Sequence, residues 1–132
     1  MRDLKSWSAR MLVVDDNKVN RLLLTRSLEL QGHSIASAEN GRVALEMLRR
    51  EPFDLLLLDM EMPEMDGLEA ARQITGRWKP AERPRIIAMT ANAMQGDREM
   101  CIAAGMDDYL TKPIRVERLV EALNHASTRQ DR

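Results

Sequence analysis

Two short apolar runs in this chain end in acid: Leu12-Val13-Val14 leads into Asp15-Asp16, and Leu55-Leu56-Leu57-Leu58 leads into Asp59. If both runs are strands of one parallel sheet, the three carboxylates converge at its C-terminal edge, where such sheets build their sites. Clustered carboxylates repel one another unless shared protons or a cation offset the charge. A hard divalent ion with oxygen ligands, Mg²⁺ above all, is the simplest answer. Two further groups are expected to face the same pocket: Thr90 closes the run RIIAMT, and Lys112 follows DDYLT just before Pro113. A carboxylate that attacks phosphorus needs the incoming anionic oxygens neutralised and held in line. A metal ion, an ammonium and a hydroxyl supply that. Each residue alone has an ordinary explanation: an aspartate caps a helix, a threonine suits a strand, a lysine sits in a solvated loop. Their recurrence at successive strand ends favours the chemistry.

The elements that must position these groups are legible in the apolar pattern. MLVVD at 11–15, HSIASA at 33–38, LLLLD at 55–59, RIIAMT at 85–90 and DDYLT at 107–111 are too short for helices and read as strands. Segments with helical spacing begin near Lys18, Gly41, Gly67, Met94 and Ile114. That alternation argues for a parallel sheet with helices on both faces. The unbroken Leu55–Leu58 run suits a central strand covered on both sides, and the mixed HSIASA suits an edge. Gly32, Gly105 and Pro52 punctuate helix ends. Residues 1–9 and 127–132 read as tails around a single domain at 10–126, with the proline-bearing 77–85 as a loop.

Composition narrows the function classes. Twenty basic and twenty-one acidic residues leave a formal charge of -1, so no global field favours nucleic acid or an anionic membrane. One cysteine, Cys101, read as a buried helix residue, rules out an internal disulfide and fits a reducing compartment. No apolar run is long enough to span a bilayer and the N-terminus lacks a secretory pattern, so a cytoplasmic location is expected.

VVDDNKVNR, LLLLDMEMPEMDG, IIAMTANAM and AGMDDYLTKPI stand in the order and spacing of a known family. Over roughly 10–125 the chain resembles the receiver domain of two-component response regulators, most of all those attached to hybrid sensor histidine kinases. The resemblance implies a cytoplasmic phosphorelay protein in which Asp59 accepts a phosphoryl group from a partner phosphohistidine. It implies that Asp16 and Asp59 ligate Mg²⁺, with Asp15 acting through water and Glu61 through its backbone carbonyl. Lys112 would pair with the phosphoryl group, Thr90 would swing onto it, and Tyr109 would follow as part of the switch. Glu61 and Asn92 lie where the family varies its acyl-phosphate lifetime, and Lys112-Pro113 is expected to be cis. The expected fold is a doubly wound α/β sheet, flavodoxin-like (βα)5, in strand order 2-1-3-4-5, since right-handed crossovers wind its two halves to opposite sides.

Two rival readings share parts of this pattern. An aspartyl-nucleophile phosphatase of the haloacid dehalogenase type carries Asp-x-Asp-x-Thr, whereas Asp59 is followed by Met60, Glu61, Met62 and Pro63. A flavodoxin-like binding module would need a phosphate-cradling first loop, where Asp15-Asp16 would repel the ligand.

The first helix suggests where a partner docks. Val19, Leu22, Leu23, Leu24, Leu28 and Leu30 are spread too widely for one buried stripe. Leu24 and Leu28 share one arc with Leu23 beside it; Val19, Leu22 and Leu30 share another. Val19 and Leu22 are therefore expected to receive a histidine kinase or histidine phosphotransfer domain. Direct nucleic-acid binding and membrane insertion are not expected, and a phosphorylation-dependent dimer is left open.

Overall fold

The computed structural model describes residues 9–60, 67–78, 83–91, 99–100, 102–112, 114–115 and 117–122, with 67 and 68 described by backbone alone. The expectations for Glu61, Asn92, Cys101, the Lys112-Pro113 bond, the tails at 1–8 and 127–132, much of the 77–85 loop and the start of a helix at Met94 lie outside these residues; Ala9, expected in the tail, is instead buried and donates to His33.

Five strands, β1 (Arg10–Val14), β2 (Ser34–Ala38), β3 (Leu55–Asp59), β4 (Arg85–Thr90) and β5 (Asp108–Thr111), alternate with α1 (Lys18–Leu30), α2 (Gly41–Arg50) and α3 (Gly67–Arg77). All four strand pairings are parallel and the order is β2-β1-β3-β4-β5, as expected. A further helical stretch covers 117–122. The expected strand limits shift by one residue at Asp15, His33 and Asp107. Asp15 leaves the strand because its Oδ1 accepts the Asn17 N–H at 2.8 Å, closing a turn. Asp107 is turned inward by the Ile86 N–H, which donates to its Oδ2 at 2.9 Å.

Alternation along the strands builds two cores. Leu12, Val14, Leu56, Leu58, Ile86 and Ala88 face α2 and α3, meeting Leu45, Leu48 and Ile74. Met11, Val13, Leu55, Leu57, Ile87 and Met89 face the other way, onto Leu24 and Leu28 of α1 and onto Leu119 and Ala122. Every residue of β3 is buried, which explains why its sequence shows no polar alternation. Each buried leucine contributes on the order of 2 kcal/mol of transfer free energy, and β3 uses this to hold its C-terminal carboxylate in place.

Local chemistry fixes the helix ends. Asn17 and Asn40 cap α1 and α2, their side chains accepting the N–H groups of Asn20 and Val43. Gly32 ends α1 at φ +93, a left-handed conformation that glycine adopts freely. Gly105 has φ +94, and a Cβ there would lie 2.4 Å from Thr75 Cγ2, so both backbone and space demand glycine. At the N-terminal edge of the sheet, the Arg10 guanidinium donates to Glu51 Oε1 and Ser34 Oγ, while the Arg10 N–H donates to Asp54 Oδ2. Beside it, the Ala9 N–H donates to Nδ1 of buried His33 at 3.0 Å. Among the described residues, no helix is long and apolar enough to cross a membrane.

Candidate functional site

β1 and β3 are adjacent and in register, Val14 opposite Leu58, so the residues that follow them leave the sheet side by side. One carboxylate oxygen from each of Asp15, Asp16 and Asp59 lies within 4.8 Å of the others. Asp15 and Asp59 are buried, and Asp16 is exposed. The pocket therefore has two acids in its floor and one at its rim.

β4 and β5 bring the remaining groups. Thr90 is buried at the end of β4, and its carbonyl accepts the Lys112 N–H at 2.7 Å, extending the β4–β5 ladder one step beyond Thr111. This places the Lys112 ammonium 2.7 Å from Asp59 Oδ1. The Asp59 side chain is 1% exposed and that of Lys112 is 23% exposed. A contact so shielded from solvent is screened far less than a surface ion pair. Tyr109, opposite Ala88 on β5, is half-buried against the core facing α2 and α3.

Asp15 is held at several points. Its N–H donates to Ala38 O at 3.2 Å, its Oδ1 accepts the Asn17 N–H, and its carbonyl accepts Arg21 Nη1 at 2.6 Å. Its Oδ2 is buried and has no hydrogen-bond partner among the described residues. Such an oxygen is costly unless something else satisfies it. A cation between the three carboxylates would do so, and an all-oxygen, anionic donor set suits a hard divalent ion.

A cavity of about 410 Å³ adjoins the acids, lined by Asp15, Asn20, Leu23, Leu24, Met89, Lys112 and Ile114. The α1 leucines divide differently from the sequence expectation. Leu24 and Leu28 are buried, but Leu23, placed beside them by helical spacing, is 61% exposed, like Val19 at 62% and Leu22 at 58%. Leu23 stands at the cavity wall. Arg21 and Asn20 were not singled out from the sequence; the only signal was their place in VVDDNKVNR, one turn from the acids.

The family model for the response regulator receiver domain matches residues 11–124. The chain belongs to that family. Receiver domains among its relatives occur within sensor kinases: the chain is 42% identical over 123 residues to the sensor histidine kinase GacS of Pseudomonas protegens, which covers 91% of this chain but only 13% of that kinase. The receiver domain of the sensor histidine kinase PA1611 from Pseudomonas aeruginosa PAO1, solved with magnesium coordinated in its active-site cleft, superposes with a TM-score of 0.80 at 37% identity, covering 90% of this chain and 97% of that one. The receiver domain of Ssk1 from Saccharomyces cerevisiae, solved with the histidine phosphotransfer protein Ypd1, gives 0.84 at 28% identity, covering 93% and 91%. The chain is thus a receiver domain of two-component phosphorelay signalling, and neither the phosphatase nor the flavodoxin-like module describes it.

Proposed function

We propose that Asp59 is the phosphoacceptor of this receiver domain and that Mg²⁺ is its cofactor. The observation that carries the reading is the juxtaposition of three carboxylates and one ammonium at a single sheet edge, with Lys112 Nζ 2.7 Å from Asp59 Oδ1. Asp15, Asp16 and Asp59 would hold the ion, with the Glu61 backbone completing the set. When bound, the ion offsets the negative charge of the acids and of the phosphoryl oxygens.

A carboxylate oxygen of Asp59 forms a P–O bond as the P–N bond to the partner's imidazole breaks, giving an acyl phosphate. Burial fixes that carboxylate in one orientation, so little freedom is lost on reaching the attack geometry. The Lys112 ammonium, already on Asp59, is placed to meet the phosphoryl oxygens. The Thr90 hydroxyl then turns to the new phosphoryl group, and Tyr109 moves with it, biasing a two-state equilibrium through bonds that exist only after transfer. The donor is a histidine kinase or a histidine phosphotransfer domain, docked on exposed Val19 and Leu22. A cytoplasmic location and a domain spanning 10–126 belong to the same reading.

With Mg²⁺ and acetyl phosphate, mass spectrometry should find a single base-labile phosphoryl group on the wild-type chain and none on Asp59→Asn. Equal labelling of both would exclude Asp59 as acceptor. Leu22→Asp should slow transfer from the partner phosphohistidine and leave acetyl-phosphate labelling intact; equal slowing with both donors would remove the docking role.

A further inference from the structure

The three acids are not held alike. Asp59 is locked by a fully buried strand and by Lys112. Asp15 is fixed through its N–H and Oδ1 as well as its carbonyl. Asp16 is exposed, and among the described residues no hydrogen bond or ion pair holds its carboxylate. Its position depends on the peptide plane that it shares with Asp15. The carbonyl of that plane accepts Arg21 Nη1 at 2.6 Å in a part-buried setting. A peptide unit is rigid, so fixing its carbonyl fixes the nitrogen and the Cα of Asp16.

We propose that Arg21 is a positioning residue that sets the Asp16 carboxylate for a small divalent ion by clamping the Asp15 carbonyl. Arg21 lies in the first turns of α1, where its own N–H donates to Asn17 O at 3.0 Å, so the side chain reaches back from a helix already capped by Asn17. The charged donor makes the bond stronger than a neutral one, and the planar guanidinium holds its direction better than an ammonium on a flexible stem. Mg²⁺ demands near-ideal octahedral geometry, whereas Ca²⁺ tolerates irregular, longer ligand distances. The clamp therefore acts on selectivity as well as affinity: a loosened Asp16 still serves Ca²⁺ but serves Mg²⁺ poorly.

This inference rests on the proposed metal role of the acids, and calorimetric titration of the full chain with MgCl₂ and separately with CaCl₂ tests the two apart. Asp16→Ala should abolish Mg²⁺ binding; a wild-type chain that binds no Mg²⁺, or Asp16→Ala binding as wild type, would overturn the metal site and the clamp together. Arg21→Ala should weaken Mg²⁺ about tenfold, the scale seen when a group supporting a metal ligand is removed, and weaken Ca²⁺ much less. Arg21→Lys should recover part of the loss. If Arg21→Ala does not melt cooperatively, Arg21→Met, which keeps the apolar stem, takes its place under the same criteria. Unchanged Mg²⁺ affinity with Asp16→Ala inactive, or equal losses for both ions, would overturn the clamp alone.

Discussion

The same strands end in two different chemical conditions. At the N-terminal edge, Arg10 brings a cation to an anion: its guanidinium meets Glu51 at 2.6 Å and lies over the Phe53 ring at 5.2 Å, and its backbone pairs with Asp54 in both directions. At the C-terminal edge, three acids share the space around one ammonium, and a buried oxygen of Asp15 is left over. The first edge is closed in electrostatic terms and serves the fold. The second holds more carboxylates than the Lys112 ammonium balances, and under the proposed function a bound cation would offset the excess, exchanging stability for binding.

If that contrast is right, removing an acid should act oppositely at the two edges, and removing the cation of the C-terminal edge should cost most. The largest effect is expected from Lys112→Ala, which strips the ammonium from a buried carboxylate and should lower stability by about 3 kcal/mol in metal-free buffer, read by urea denaturation. Mg²⁺ should restore a good part of it; a loss below about 0.5 kcal/mol, the level of a surface pair, would mean that the C-terminal edge is not under strain. Asp15→Asn should do the reverse without metal, raising stability by about 1 kcal/mol, because an amide donor replaces an unsatisfied oxygen among like charges. The same variant should lose the gain in melting temperature that Mg²⁺ gives the wild type. Destabilisation of the metal-free form would contradict the excess-charge account. Glu51→Ala, at the closed edge, should cost about 0.5 kcal/mol and leave phosphorylation by acetyl phosphate unchanged.

His33 adds a pH test of the closed edge. Burial lowers its pKa below the usual 6.5, and its Nδ1 accepts the Ala9 N–H, which requires the neutral ring. The unfolded chain takes up the proton first, so this contribution is fully present above about pH 6.5 and is lost as pH falls from there toward the folded value. Melting curves should drop gradually over that window. His33→Asn, which keeps an acceptor and does not titrate, should flatten the drop; an unchanged slope would show that other groups cause it.

Much of this architecture can be read from residue order. The helix starts at Lys18, Gly41 and Gly67 and the strands at 55–59 and 85–90 fall where periodicity puts them, because each is bounded by a cap, a glycine, a proline or an acid with a physical reason to stop there. The convergence of Asp15, Asp16, Asp59, Thr90 and Lys112 was legible too, since parallel strands must release them on one edge. Leu23 was not, because helical spacing gives angles around an axis but not how far the neighbouring sheet extends beneath them. Arg21 was not either: nothing in an arginine's type says that it will donate to a carbonyl six residues back, and only the turn at Asp15 to Asn17 makes that reach possible.

Lys112 and Asp59 stand 53 residues apart in sequence, and all four strand pairings in between and around them are parallel. No hairpin can assemble this edge locally; each pairing waits for a crossover, which is the slow kind of folding. A nascent chain that has reached β4 already carries the three acids but not Lys112. During synthesis Asp59 therefore stays without its Lys112 partner until β5 adds itself to the sheet, and under the function proposed above that strand would complete the acceptor. Under that reading the order of the chain would work as a check on completeness, since a copy in which β5 has not joined the sheet lacks the contact between Lys112 and Asp59.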